Sequence, residues 1–108
     1  MALYVYKLAL QPRYYDFSTW DEKVQETFKR HAEYLHKGVT TGKVHVVGRS
    51  DQEPKKNYGI VIFEDASEQE AKQFMNDDPC IVGGVMTAEL APFKLLMVSN
   101  AAKKWNIW

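Results

Sequence analysis

The chain has 108 residues, of which 45% are hydrophobic, a length that supports one packed domain and is too short for two. Lysine plus arginine number 14, as do aspartate plus glutamate, so the formal charge is zero and no basic surplus attracts nucleic acid or anionic lipid. No apolar stretch approaches the length of a membrane span. We therefore expect one domain that binds neither nucleic acid nor membranes.

The single cysteine and the first residues indicate the cellular compartment. Cys80 has no second cysteine with which to form an intramolecular disulfide. Residues 1–7 lack a basic region followed by an apolar one and a small-residue cleavage site. A cytoplasmic protein is the resulting expectation.

The first half of the chain predicts a strand followed by an amphipathic helix. Residues 2–10 are apolar on both alternating faces, which is typical of a strand covered on both sides. After a loop at 11–18, a capping box from Thr19 to Glu22 opens a helix, because each side chain of such a box can satisfy the other's free backbone N–H. The helix is expected to end at Gly38.

A histidine interrupts the apolar stripe of this helix. Five residues recur at steps of three and four and share one helix face: Trp20, Val24, Phe28, His31 and Leu35. His31 therefore points inward, where an unpaired polar group costs about 1 to 3 kcal/mol. Asp78 is the partner that we predict for it, and the two residues form the candidate site for chemistry or ligand binding.

The second half of the chain repeats the pattern of strand and helix. Three further strands are predicted, at 41–48, 58–64 and 85–97. The polar segment 49–57 joins the first two of these as a long, solvated hairpin loop. A second helix opens with a capping box from Ser67 to Glu70 and stops before Pro79, whose ring forbids continuation. Pro92 cannot donate to a strand ladder, so the last strand is expected at a sheet edge.

The order β-α-β-β-α-β predicts an α+β domain of ferredoxin-like topology over residues 1–98. Such a domain has a four-stranded antiparallel sheet with both helices on one face. The first and third strands are apolar on both sides, so the face without helices would leave a large apolar surface exposed. A second copy packed on that face, giving a homodimer, is the predicted solution. The alternative is that the C-terminal tail 99–108, with Trp105 and Trp108, folds back over the sheet.

Several short motifs occur in an order and at spacings that resemble one known family. They are Phe28 to Leu35, Gly42 and Gly48, Ser67 to Phe74, Asp77-Asp78-Pro79 followed by Gly83-Gly84-Val85, and Ala91 to Lys94. Together they resemble the YCII-related (YciI-like) domain family over nearly the whole domain. The resemblance implies a dimeric α+β barrel of ferredoxin-like topology, with a histidine and an aspartate proposed as catalytic in its cleft. Those two positions correspond to His31 and Asp78.

The chain departs from the pattern of this family at three positions. Phe28 stands where many members carry an arginine three residues before the histidine. Cys80 stands where an aromatic residue often follows Asp-Pro, and Arg49 stands where a proline often follows the glycine of the second strand. The family is similar in fold to muconolactone isomerase and includes a dehydrochlorinase that acts on chlorinated hydroxyhydroquinones. The departures predict a smaller, drier cleft or a different ligand, so no particular substrate is carried over.

Each candidate site residue also has a plain structural interpretation. His31 could be a core histidine bonded to a backbone carbonyl, and Asp78 could end a helix through a local hydrogen bond before Pro79. Four further residues are candidate ligand contacts: Tyr4, Tyr6, Gly83 and Gly84. The two tyrosines would otherwise pack in the core or in an interface. The two glycines would otherwise form a simple turn before the last strand.

Two functions from different classes follow from these residues. The first is a small cofactor-independent enzyme in which His31 transfers a proton on a cyclic or enolisable metabolite while Asp78 orients the imidazole or shares the proton load. The second is a non-catalytic dimer that binds a small molecule or a partner protein through the same cleft. His36 and His45 lack metal-ligand spacing with Cys80, so no metal is expected. An open cavity beside His31 would favour the enzyme.

Overall fold

The computed structural model describes residues 1–99. In this part of the chain the strands and α-helices are β1 (Ala2–Leu10), α1 (Glu22–Thr41), β2 (Val44–Arg49), β3 (Gly59–Asp65), α2 (Glu68–Asn76), α3 (Pro79–Val82) and β4 (Met86–Phe93). Two 3₁₀ turns, Pro12–Tyr14 and Phe17–Thr19, lie between β1 and α1. Apart from Ser99, the predicted tail with Trp105 and Trp108 lies outside the described residues. No helix within residues 1–99 combines the length and apolar character that crossing a membrane requires.

The four strands form one antiparallel sheet in the order β2-β3-β1-β4. β1 and β3 are the central pair, and helical connections lead from β1 to β2 and from β3 to β4. This architecture confirms the predicted α+β fold of ferredoxin-like topology. β4 is an edge strand, which is where a strand that contains Pro92 is tolerated.

One face of the sheet packs against the helices and forms the core. Along β1, Tyr4, Tyr6 and Leu8 are buried, whereas the intervening Lys7 is exposed. Phe63 of β3 lies at the centre of this core, with its ring edge-on to Tyr6 at a centroid distance of 5.6 Å. Such aromatic pairs contribute about 0.5 to 1.5 kcal/mol beyond the area that they bury. The core therefore holds the aromatic side chains of β1 beneath the helices that carry the candidate site residues.

Helix α1 begins later than its capping box predicts. Asp21 is the N-cap, and its Oδ1 accepts a hydrogen bond of 2.9 Å from the Val24 amide. Thr19 instead ends a 3₁₀ turn and donates its hydroxyl to the Asp16 carbonyl at 2.7 Å. The prediction of a Thr19 cap was wrong because this local hydrogen bond occupies the threonine hydroxyl and Asp21 supplies the capping oxygen two residues later.

Helix α1 also ends later than predicted. It continues to Thr41, and Gly42 terminates it in the left-handed region at φ 84° with its amide donating to the Val39 carbonyl at 3.2 Å. Gly38 lies buried within the helix, where a Cβ atom would come within 2.5 Å of Val44 Cγ2. Gly38 therefore allows α1 to approach β2 closely, and the termination expected there takes place at Gly42.

We predict that alanine at position 38 is destabilising because of Val44. In an unobstructed helix interior, Gly38→Ala would add up to about 1 kcal/mol of stability. Overpacking against Val44 costs about 1 to 3 kcal/mol, so we expect a lower free energy of unfolding in urea. In a Val44→Ala background, the same change should become neutral or stabilising. A Gly38→Ala protein more stable than the wild type would contradict the close contact.

Candidate active site

His31 and Asp78 lie in direct contact although they are far apart in sequence. His31 Nδ1 is 2.6 Å from Asp78 Oδ1. The Asp78 side chain is completely buried, whereas 15% of the His31 side chain remains exposed. The inward face of α1 thus brings the imidazole onto a buried carboxylate and leaves part of the ring accessible.

The sequence around Asp78 explains why its carboxylate points toward α1. A residue before proline is held in an extended conformation, and Asp78 has ψ 126°. Pro79 opens the short helix α3, and Asp78 caps it, with Oδ1 accepting a 3.0 Å hydrogen bond from the Cys80 amide. Asp78 therefore begins α3, whereas Asp77 is the residue that caps the end of α2. The Asp78 carboxylate therefore makes both the local hydrogen bond with the Cys80 amide and the contact with His31.

A tyrosine of the central strand completes the environment of Asp78. The hydroxyl of Tyr6 donates to Asp78 Oδ2 at 2.8 Å, and the tyrosine is fully buried. Burial raises the pKa of Tyr6 well above its ordinary range, and the Asp78 charge adds to the effect. The hydroxyl consequently stays protonated and serves as a donor. With His31 and the Cys80 amide, the carboxylate is held from β1, α1 and α3.

The hydrogen bond at Nδ1 determines what the rest of the imidazole can do. A carboxylate acceptor at Nδ1 favours the neutral tautomer that carries its proton on that nitrogen. In that tautomer Nε2 carries the lone pair, and the side-chain hydrogen bond that the ring forms within residues 1–99 is at Nδ1. Proton acceptance by this tautomer would therefore take place at Nε2.

His31 lines a cavity of about 510 Å³. Its aromatic lining residues are Phe17, Trp20, Phe28 and Tyr58. The sheet contributes the apolar side chains Leu8, Leu10 and Met86, and the β2–β3 hairpin contributes Arg49, Asp51, Gln52, Pro54, Asn57 and Gly59. This volume falls within the range of about 300 to 1,000 Å³ that is typical of small-molecule sites. The combination of an apolar lining and a few polar groups is also typical of such sites.

Two residues that the sequence places in the core stripe of α1 line the cavity instead. The rings of Trp20 and Phe28 stack in parallel, with centroids 4.4 Å apart and an interplanar angle of 8°. The indole Nε1 of Trp20 donates to the Tyr14 carbonyl at 2.9 Å, which fixes the orientation of this ring. Phe28 contacts the His31 ring edge-on at a centroid distance of 6.5 Å. We call Phe17, Trp20 and Phe28 the aromatic wall.

The structure places the four predicted ligand contacts away from this cavity. Tyr4 packs in the core beside Phe63, with ring centroids 6.0 Å apart, and Tyr6 is occupied by Asp78. Gly83 lies against α1, and Gly84 forms a turn at φ 70°. None of the four is among the cavity-lining residues of the described chain. Tyr6 is nevertheless connected to His31, because both bind the same carboxylate.

The β2–β3 hairpin contributes side chains to the cavity, which the sequence analysis does not predict. The sequence predicts a solvated loop at 49–57, yet Arg49, Asn57 and the following Tyr58 line the cavity. One signal was present in the sequence, since Arg49 stands where the resembling family often has proline. That departure could have directed attention to this end of the second strand.

The side chains around Asp78 also include a potential metal-ligand set. Ligand atoms of His31, Asp78 and Cys80 lie within 4.8 Å of one another. The carboxylate oxygens, however, already accept hydrogen bonds from His31, Tyr6 and the Cys80 amide. Burial raises the pKa of the Cys80 thiol to about 12, with a further contribution from the Asp78 charge, so the thiol stays protonated. This donor set fits a hydrogen-bonded dyad better than a metal centre.

Comparison with known proteins identifies the fold. No family model matches the chain, and no curated protein matches it. The chain is similar to the 5-chloro-2-hydroxyhydroquinone dehydrochlorinase of Burkholderia phenoliruptrix AC1100, whose structure contains 2,5-dihydroxybenzoquinone. The TM-score is 0.64 at 17% identity, with 85% of this chain and 93% of that chain covered. At this identity the likeness shows the ferredoxin-like fold alone, and membership of the YCII-related family and of the dimeric α+β barrel proteins remains a prediction.

Two other solved structures have lower scores. The designed protein Ferredog-Diesel gives a TM-score of 0.49 at 12% identity, with 84% of each chain covered. The cofactor-independent oxygenase SnoaB of Streptomyces nogalater gives 0.48 at 10% identity, with 92% of this chain and 96% of that chain covered. Neither of these similarities bears on the chemistry of the cavity.

We predict that Tyr6→Phe destabilises the protein through Asp78. The change removes the donor to Oδ2 of a buried carboxylate, and leaving such a group unsatisfied costs about 1 to 3 kcal/mol in the free energy of unfolding. Tyr4→Phe is the matched control, because Tyr4 lies on the same face of β1 and its hydroxyl forms no hydrogen bond within residues 1–99. Urea unfolding of both variants measures the difference. Equal losses in the two variants would argue against a stabilising role for the Tyr6 hydroxyl.

Proposed function

We propose that the protein is a small enzyme that transfers a proton on a cyclic or enolisable metabolite bound in the cavity. One observation carries this proposal: His31 lines a cavity of about 510 Å³ while its Nδ1 is bonded to the buried Asp78 carboxylate. An imidazole with one nitrogen fixed by a carboxylate and the other facing a ligand site has the geometry of a general base.

The proposed step begins at a hydrogen next to a carbonyl group of the ligand. His31 Nε2 takes the proton, and the C–H electron pair moves toward the carbonyl to form an enolate. Asp78 stabilises the resulting imidazolium through the hydrogen bond at Nδ1 and remains ionised. His31 then returns the proton to another atom, which isomerises the ligand. In an elimination, the enolate electrons instead form a new carbon–carbon double bond, the leaving group departs with the electron pair of its own bond, and His31 releases its proton to the leaving group or to water. Both outcomes balance without an oxidant or a reductant.

Tyr6 acts in this proposal as a positioning residue. It does not line the cavity, but its hydroxyl holds Asp78 Oδ2 while His31 binds Oδ1. A carboxylate held on both oxygens cannot rotate to follow the imidazole. The base consequently keeps one orientation relative to a bound ligand, and such preorganisation lowers the barrier to proton transfer.

We predict that His31→Gln abolishes proton exchange with a cyclic enolisable probe. The probe is indan-2-one, a planar ring whose methylene hydrogens lie next to a carbonyl group, and cyclohexane-1,2-dione serves as a second probe. Proton NMR in deuterated water follows the loss of the carbon-bound hydrogens. General base catalysis contributes about 10²- to 10⁴-fold, so we expect the rate to fall by that range in His31→Gln and by a smaller factor in Asp78→Asn.

The control for this experiment is His36→Gln, a change of the same kind on the exposed side of α1. It should exchange both probes at the wild-type rate. Exchange that His31→Gln leaves intact would overturn the catalytic role of His31. No acceleration of either probe by the wild type would favour the alternative function, a non-catalytic protein that binds a small molecule in the same cavity.

We also propose that a second copy of the chain covers the face of the sheet that lacks helices. The strand register brings one apolar row across all four strands on this face: Val46, Ile62, Val5 and Ala91. Val46 at the edge is 51% exposed. A contiguous apolar surface of this kind is rare on a monomer, and a self-complementary contact would bury it.

We predict a homodimer in sedimentation equilibrium at micromolar concentration. A charge at the centre of the apolar row should be too costly to bury, so Ile62→Lys should sediment as a monomer. Gln69→Lys adds the same charge on the exposed surface of α2, at the helical side of the domain, and should remain dimeric. A wild-type protein that stays monomeric over the whole concentration range would contradict the proposed dimer.

A further inference from the structure

The aromatic wall indicates the shape of ligand that the cavity accepts. Trp20 and Phe28 stack within 8° of parallel, and Phe17 contacts Trp20 at a centroid distance of 4.7 Å. Phe28 in turn contacts the His31 ring edge-on at a centroid distance of 6.5 Å. An aromatic lining of this kind favours a planar ring, which can make stacked or edge-on contacts with it, over a saturated ring. The aromatic wall therefore favours a planar ligand in the cavity that His31 lines.

Arg49 supplies a positive charge to the same cavity. It is the last residue of β2, and its register partner Gly59 also lines the cavity. Its guanidinium donates to the Ser50 carbonyl at 3.3 Å and lies 4.0 Å from Asp51 Oδ1. An arginine has five N–H donors, so most of them remain available for a ligand. No lysine or second arginine within residues 1–99 lines this cavity.

The neighbouring acid does not cancel this preference for an anion. Asp51 also lines the cavity, but its side chain is fully exposed to water and lies at the limit of ion-pair distance from Arg49. An exposed pair of this kind is weak. A ligand carboxylate or phenolate that approaches the planar guanidinium can instead form two parallel charge-assisted hydrogen bonds.

We propose that the cavity takes a planar ring that carries an anionic oxygen substituent, with the ring on the aromatic wall and the anion at Arg49. This inference rests on the proposed function and narrows its substrate class. Arg49 also has a second role in this proposal. Removal of a proton places negative charge on the enolate oxygen, which is attached to the ring. A guanidinium beside the ring favours that charge. Arg49 and Trp20 thus determine specificity, and His31 performs the transfer.

Binding of four small probes tests the proposed specificity. Benzoate is a planar anion, benzamide is planar and neutral, cyclohexanecarboxylate is a non-planar anion, and benzylamine is a planar-ring cation. Titrations followed by the Trp20 indole N–H signal in NMR give a dissociation constant for each probe. We expect benzoate to bind most tightly, and its advantage over benzamide should decrease as salt is added, since the anion contact is partly exposed.

The matched variants are Arg49→Met and Lys56→Met. Arg49→Met should weaken benzoate about fivefold, the upper range for an exposed ion pair, and leave benzamide unchanged. Lys56 carries the same charge in the same hairpin without lining the cavity, so Lys56→Met should bind both probes as the wild type does. Trp20→Leu lacks the reporting indole and is measured by isothermal titration calorimetry beside the wild type; it should weaken benzoate and benzamide together. His31→Gln should still bind benzoate more tightly than benzamide. That result would exclude the imidazole as the group that binds the anion.

The results separate this inference from the proposed function. Benzamide or benzylamine binding at least as tightly as benzoate, or an Arg49→Met protein with unchanged benzoate affinity, would overturn the anionic-ring specificity. Those outcomes would not bear on the proton transfer that we propose for His31. A His31→Gln protein that still catalyses exchange while benzoate remains preferred would reject the catalytic role alone.

Discussion

The structure depends on satisfying one buried carboxylate. Asp78 has no exposure to water, and an unpaired charge in that position would cost several kcal/mol. Three elements meet this requirement, since Tyr6 of β1, His31 of α1 and the Cys80 amide of α3 all bind its two oxygens. The arrangement ties the long helix, the short helix and the central strand to one point. His31 also lines a cavity, so the same contacts that stabilise the fold hold the candidate base at that cavity.

The sheet divides the molecule into regions with different tasks. Its helical face carries the aromatic core around Phe63, which is sealed and chemically inert. Its end, beyond Leu8 and Leu10 of β1, opens into the cavity between the aromatic wall and the β2–β3 hairpin. Its other face presents the apolar row across four strands that we assign to a second copy. The cavity that we propose for chemistry and specificity thus lies at the end of the helical face, whereas the surface that we propose for assembly is the opposite face of the sheet.

Local patterns predicted the elements well where one physical preference dominated. Apolar residues on both faces of β1 and β3 and the helical spacing from Val24 to Leu35 identified these elements, and the order of the elements along the chain predicted the ferredoxin-like topology. Boundaries were wrong where several groups competed for the same hydrogen bonds. The Thr19 hydroxyl donates to the Asp16 carbonyl and therefore does not cap the helix. Gly38 does not end the helix but lies within it, where it allows close packing on Val44. Such competition depends on partners that sequence spacing does not reveal.

By itself, the sequence determined the period of each element, the inward direction of His31 and the extended backbone before Pro79, because these follow from local sterics and from burial of apolar side chains. Tertiary structure alone decided that Tyr6 reaches Asp78 and that Arg49 and Tyr58 line the cavity beside His31. It also decided that Trp20 and Phe28, which the sequence places in a core stripe, line the cavity. Contacts between elements depend on how a helix and a hairpin pack at the end of the sheet, and no repeat along the chain encodes that packing.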